Sequence, residues 1–240
     1  MPFTILPVST DDAADLSQVM MRAFSRDPHW ALLWSSMPLE DIITDNTNRL
    51  RRNIINGRDQ KRHQKAVDPV TGEVVGPVDW LEAQVPEPNK EDREGFERNY
   101  SQYTVDGKIK GLNYEIMTAL SPLLEDTEEE ILKTAGPCLV LDYICTAPHY
   151  QDRGVGSDLV RSGIKVAEDA GLKCYVMSTP AGLRLCESHG FKRVKTIVQD
   201  DSKWGSVEPH VNYFLVREVS RPMNTESKPI TSVELREIEK

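Results

Sequence analysis

The amino-acid sequence predicts an α/β fold that combines a parallel strand pair with antiparallel strands, and two stretches carry that expectation. Residues 138 to 146 form a nearly continuous apolar run interrupted by Asp142, the pattern of a strand buried on both faces. A helical stretch at 157 to 170 and a second short apolar run at 173 to 178 follow it. Strand, helix and strand in that order make a right-handed crossover, which sets the two strands parallel. Upstream, 64 to 67 and 74 to 81 flank Asp68-Pro69-Val70-Thr71-Gly72, whose Pro and Gly suit the tight connection of an antiparallel hairpin.

The remaining elements follow from local signals. Residues 11 to 26 space Ala14, Val19, Met20 and Ala23 along one helical face, with Ser9 and Thr10 as caps and Asp27-Pro28 as the stop. A second helix is expected from about 38 to 55. Residues 86 to 110, rich in Glu, Asp, Lys and Arg with isolated aromatics, read as an exposed, partly helical insertion. Helical character returns over 111 to 133, where Thr127-Glu128-Glu129-Glu130 fits a capping box and so a solvated helix start. In the helix at 157 to 170, Leu159, Gly163, Val166, Ala167 and Ala170 share one side, and Gly171 suits a left-handed stop. Thr179-Pro180 opens a short helix that runs to His189 and closes at Gly190. Two further strands are expected at 191 to 198 and 210 to 216. These elements make one domain over 1 to 219, with 86 to 134 inserted between strands and 220 to 240 a polar tail.

With 240 residues, 39% of them hydrophobic, the chain can bury one sizeable core. Its formal net charge of -9 excludes a broad field that would attract nucleic acid or an anionic membrane, so any anionic ligand must be held by local donors. The first twelve residues lack the basic start and apolar run of a secretory signal, and no stretch approaches the ~18 apolar residues of a membrane span. Cys138, Cys145, Cys174 and Cys186 lie in apolar segments without metal-ligand spacing. They read as reduced core thiols, no metal site is expected, and the expected location is cytoplasmic.

The chemistry concentrates in the turn Ala147-Pro148-His149-Tyr150-Gln151-Asp152-Arg153-Gly154-Val155-Gly156-Ser157. Two glycines one residue apart at a helix start let bare backbone amides approach an anion, and the first helical turn has unpaired N–H groups to offer a phosphate. Arg153 adds a positive charge beside it. A dinucleotide fingerprint would need glycine where Leu159 stands, and a P-loop would need Gly-Lys-Ser/Thr where Leu159-Val160-Arg161 stands, so both are excluded. A plain structural turn explains a bare Gly-x-Gly equally well.

The surroundings are more specific. Residues 141 to 156, with Gln151-x-x-Gly154-x-Gly156 following a strand and a proline, resemble the GNAT superfamily of acetyltransferases. Ser178-Thr179-Pro180-Ala181-Gly182 and Leu185-Cys186-Glu187-Ser188-His189-Gly190-Phe191 are similar to the family's downstream helix ending in Gly-Phe, and the hairpin around Thr71-Gly72 to its upstream hairpin.

This resemblance implies a mixed, largely antiparallel central sheet flanked by helices, with two splayed parallel strands forming a slot for coenzyme A. It also implies acetyl-CoA as cofactor and a primary amine of a small molecule or peptide as acceptor, attacking the thioester directly. The backbone of Ile144, Cys145 and Thr146 would then pair with the pantetheine arm. Gln151, Asp152, Arg153, Gly154, Val155, Gly156 and Ser157 would hold the pyrophosphate, with Ser178 on the facing strand also counted among the cofactor-binding residues. Asp142, alternating onto the side of Ile144 and Thr146, could accept the acceptor's proton or be a structurally paired carboxylate. Cys186 stands where many members carry a proton-donating tyrosine; it could protonate the leaving sulfur or simply fill the core. Transfer of another acyl group, another acceptor, and a coenzyme-A-binding module with lost turnover are the alternatives. A homodimer is left open.

Overall fold

The fold is described by a computed structural model over residues 2–56, 61–82, 104–105, 108–109 and 111–219. Seven strands form its central sheet: β1 (Thr4–Pro7), β2 (Lys61–Val67), β3 (Val74–Glu82), β6 (Cys138–Ile144), β7 (Lys173–Ser178), β9 (His210–Arg217) and β8 (Lys192–Gln199), in that spatial order. A two-residue ladder, β4 (Thr104–Val105) with β5 (Lys108–Ile109), stands apart. Within the sheet β6 and β7 are parallel, and every other neighbouring pair is antiparallel. The expected mixed, largely antiparallel sheet is therefore present. The reading of 86 to 110 falls almost wholly outside the described residues, as does the tail from 220.

The β2–β3 hairpin closes as its turn residues dictate. The Asp68 carboxylate accepts the Val70 amide at 2.8 Å, and the Gly72 amide donates to the Asp68 carbonyl at 2.9 Å. Gly72 takes φ +75°, a conformation that carries no side-chain penalty in glycine. Strand β1, not anticipated, is a four-residue edge strand whose Thr4 pairs with Val67; four residues carry too little periodicity to be seen.

Helix α1 (Ala13–Phe24) lies where the apolar spacing puts it and helix α3 (Leu39–Asn56) where the second helix is expected, and a buried hydrogen bond from Asn46 Nδ2 to Ser17 Oγ at 3.0 Å joins them. Asp27-Pro28 does more than stop α1. The Asp27 carboxylate accepts the Trp30 amide at 2.9 Å and Pro28 occupies the first position of α2 (Pro28–Leu33), so the stop of one helix is the start of the next.

Helix α4 corrects the sequence reading. It runs unbroken over Tyr114–Ala135, capped by the Asn113 side chain, and Thr127 is buried in its interior. Leu120, Leu124, Ile131 and Leu132 carry one apolar stripe through the supposed start and pack on Val140, Tyr175 and Phe214 of the sheet. Burial of a continuous stripe outweighs a local capping pattern.

Helix α5 (Val155–Ala170) covers the other face, because Leu139 and Leu141 belong to its core and Val140 to that of α4. Gly171 ends it at φ +66°. Helix α6 (Pro180–Ser188) closes through Gly190 at φ +86°. The four cysteines are free and buried. No described helix is long and apolar enough to cross a membrane.

Candidate active site

The β6–β7 ladder stops early. Its register pairs run from Cys138↔Lys173 to Leu141↔Val176, after which Met177 and Ser178 pair with β9 and residues 142 to 144 of β6 pair with β3 or not at all. The parallel strands therefore part at Asp142. The Cys145 and Ala147 amides both turn to β3, donating to Pro77 O at 3.3 Å and Val75 O at 2.7 Å. Backbone alternation then directs the intervening Thr146 amide towards the opening.

Asp142 itself sits in an irregularity. Trp80 pairs with Leu141 and Asp79 with Tyr143, so β6 carries one residue more than β3 at this point, and that residue is Asp142. A bulge re-aims the side chain it carries and interrupts simple alternation. The sequence reading grouped Asp142 with Ile144 and Thr146; Ile144 packs on the core shared with Leu141, whereas the Asp142 carboxylate reaches Lys61 Nζ at 2.8 Å across β3.

The turn follows at once. Pro148–Tyr150 form a 3-10 turn, Asp152 takes φ +59°, and Gly154 takes φ +91° with nothing within 4 Å of the position a β-carbon would fill. Helix α5 starts at Val155, two residues earlier than expected, and no side chain caps it. Its first-turn amides, those of Val155, Gly156 and Ser157, are thus left for an external acceptor. Gln151, Asp152 and Arg153 are exposed, with the Arg153 guanidinium over the Tyr150 ring at 4.4 Å. Tyr150 Oη donates to Glu73 at 3.1 Å, and His149 Nε2 lies 3.0 Å from the same carboxylate, which ties the turn to the hairpin. A β-carbon at Gly156 would stand 2.9 Å from Leu185 Cδ2 of α6. A cleft of about 510 Å³ lies beside this turn, lined on one side by Gln18 and Arg22 of α1 with Arg26 just after it, and on the other by Glu73 and His149.

Behind Asp142 lies a charged cluster that only the fold assembles. Lys61 Nζ is 3.3 Å from one oxygen of Asp79, and His63 Nδ1 is 3.1 Å from the other. Neither contact has hydrogen-bond alignment, so both Asp79 oxygens are buried without a hydrogen bond. Burial, reinforced by Asp142 and only partly offset by Lys61, pushes the Asp79 carboxyl up to about 7. Burial and Lys61 push His63 down to about 4. Burial works against the charge of Lys61, but the two carboxylates outweigh it and hold its pKa above the ordinary value. The signal for Asp79 was present in the sequence, an acid inside the apolar run Val74–Glu82, as Asp142 is inside β6.

Cys186 is 1% exposed on α6, and burial pushes its thiol up to about 11. Ser178 is buried and its Oγ donates to Thr179 O at 3.0 Å. A second histidine–carboxylate pair joins α2 to the β8–β9 connection. His29 of α2 meets the buried Asp201 of the β8–β9 connection at 2.6 Å and stacks on His210, ring centroids 3.7 Å apart.

Residues 79–191 match the acetyltransferase (GNAT) family. No curated protein sequence matches the chain. Among solved structures, the chain is similar to a histone acetyltransferase HPA2-related acetyltransferase of Corynebacterium glutamicum, with 21% identity, 93% of this chain and 100% of that one covered, and a TM-score of 0.56. It is similar to the Drosophila melanogaster polyamine N-acetyltransferase, with 16% identity, 90% and 100% covered, TM-score 0.58. It is also similar to arylalkylamine N-acetyltransferase 2 of Aedes aegypti, with 13% identity, 91% and 99% covered, TM-score 0.61. At these identities the likeness is one of fold, and it extends to β1, β2 and α1 to α3, which precede the family match but share its sheet and core.

Proposed function

From a chain whose residues 79–191 form a domain of the GNAT acetyltransferase family, we infer an enzyme that moves an acetyl group from acetyl-CoA to a primary amine of a small molecule or peptide. The observation that carries this reading is the coincidence of two openings. The β6–β7 ladder ends at Leu141, and beyond the 3-10 turn at Pro148–Tyr150 stands an uncapped helix start entered through Gly154 in the left-handed conformation. The residues present fit coenzyme A: uncapped α5 amides and Arg153 suit a pyrophosphate, and the outward Thr146 amide suits an amide-bearing arm. When bound, the cofactor supplies the activated acetyl group. The polypeptide must then hold the amine and take its proton.

Asp142 is our choice for the proton acceptor. It stands where the strands part, and its side chain is 38% exposed even while it pairs with Lys61. Cys186, by contrast, is enclosed, and a thiolate leaving group needs little help near neutral pH. Solved proteins of this fold include enzymes of polyamines and arylalkylamines, so these amines are the natural first acceptors to try.

The test is coenzyme A release from acetyl-CoA with a panel of polyamines, arylalkylamines and peptide amino termini, alongside calorimetric binding of acetyl-CoA. Release with at least one amine is expected, and Asp142→Asn should lose roughly a hundredfold in turnover while binding acetyl-CoA normally. Binding without release would favour a coenzyme-A-binding module, and no binding at all would overturn the cofactor assignment.

A further inference from the structure

The cluster behind Asp142 has a geometry that plain structural pairing does not require. Lys61 is placed between two carboxylates, 2.8 Å from Asp142 and 3.3 Å from Asp79, and the two differ sharply in environment. Asp142 stands where the strands part, its side chain 38% exposed, whereas Asp79 is fully buried one strand further in, paired in register with Tyr143. We propose that Asp79 is a positioning residue for the transfer reaction: through Lys61 it sets how firmly Asp142 is held, and hence how readily Asp142 takes the acceptor's proton. The inference rests on Asp142 as proton acceptor.

The step it controls is a simple one. An acceptor ammonium passes one proton to an Asp142 oxygen and its nitrogen keeps the electron pair for attack; Lys61 stays protonated throughout. With Asp79 ionised, the charge of Lys61 is divided between two carboxylates. With Asp79 neutral, that charge falls on Asp142 alone, which then resists neutralisation.

The groups facing Asp79 leave it in control of this balance. From β2 come Lys61 and His63; His63, pushed down to about 4 by burial and by Lys61, is neutral near pH 7 and adds no charge. From β6 come Asp142 and Tyr143, whose phenol burial and the two acids carry well above its ordinary value, so it too stays neutral. On the α4 side Glu128, raised by burial, acts on the same field through Asp142. Helix α3 contributes the Asn53 backbone, against His63. Among these groups Asp79, pushed up to about 7, changes charge close to neutrality.

Two measurements test this. In kcat/KM against pH, with acetyl-CoA and an amine that the enzyme turns over, the native enzyme should show an acid limb with its midpoint near 7. Asp79→Asn should abolish that limb and fall to the level of the acid side, roughly tenfold below native at pH 8. A variant that keeps the native limb overturns the proposal. The second measurement needs neither turnover nor a folded variant. The Nζ resonance of Lys61 in the ¹⁵N-lysine-labelled native chain should inflect once near pH 7, and a resonance flat through that range overturns it equally. Should no amine be acetylated, the enzymatic reading fails, while the Lys61 titration still decides whether Asp79 governs the hold on Asp142.

Discussion

Gly163→Ala should loosen the whole site although it lies far from the turn. Gly163 faces Trp80, and a β-carbon there would stand 2.0 Å from Trp80 Cε2 and 2.2 Å from Cζ2. Non-bonded carbons settle at about 3.5–4.0 Å, so helix and ring must separate by about 1.5 Å. Trp80 is 1% exposed and has nowhere to swing. Overpacking by one methyl costs ~1–3 kcal/mol, and a separation this large belongs at the top of that range. Alanine's better helix propensity returns about 1 kcal/mol. The net destabilisation is about 2 kcal/mol, or a Tm lower by about 4–8 °C for a domain of this size. Urea and thermal unfolding measure it, and a Trp80→Leu partner, which vacates the contested space, should make the double variant less than additive. Gly163 follows Val155 by about 12 Å of helix, so the displacement reaches the first-turn amides, and acetyl-CoA affinity should fall with stability. Unchanged or increased stability of Gly163→Ala would refute the seating of α5 on Trp80.

Three further outcomes follow from other contacts. Gly154→Ala meets no atom but forces alanine to φ +91°, a penalty of ~1–2 kcal/mol, so it should weaken acetyl-CoA binding in calorimetry; Gly156→Ala, which meets only the flexible end of Leu185, should be tolerated, and equal losses at both would contradict this distinction. Cys186→Ala should lower stability modestly and leave turnover within about tenfold, whereas a much larger loss with cofactor affinity kept would make the thiol a proton donor. Asp79 keeps its proton in the native state up to about 7 where the unfolded chain loses it near 3.8, so native stability falls as pH rises across that window. Asp79→Asn lacks this dependence, and urea unfolding at pH 5 and pH 8 should show the comparison moving in its favour at the higher pH.

Where one local signal decided a structure, the sequence was readable. The crossover from β6 through α5 to β7, the left-handed stop at Gly171 and the Gly154-x-Gly156 turn each depend on residues within a few positions of one another. Where distant segments compete, it was not. Thr127 has the neighbours of a helix start, yet the stripe from Leu120 to Leu132 buries against strands that come later in the chain. Asp142 stood out as an acid in an apolar run, but its bulge depends on pairing with Asp79 and Trp80 across a long connection, and so does its partnership with Lys61. Asp79 carries the same signal as Asp142, but a hairpin strand gives no local reason to expect burial of its acid, which comes from pairing with β6. His29 and Asp201 had no legible connection, being 172 positions apart.

The early end of the β6–β7 ladder also divides the molecule mechanically. Four register pairs join one half-sheet of β1, β2, β3 and β6 to another of β7, β9 and β8, far fewer than hold either half together. Helix α5 spans this seam on one face, and the His29–Asp201 contact joins α2 to the β8–β9 connection. Strain applied across the sheet therefore concentrates at the seam, in rotation of one half against the other about the short ladder as a hinge. Helix α4 bridges the same seam on the other face through Val140 and Tyr175, so the two helices, more than the short ladder, set the width of the slot.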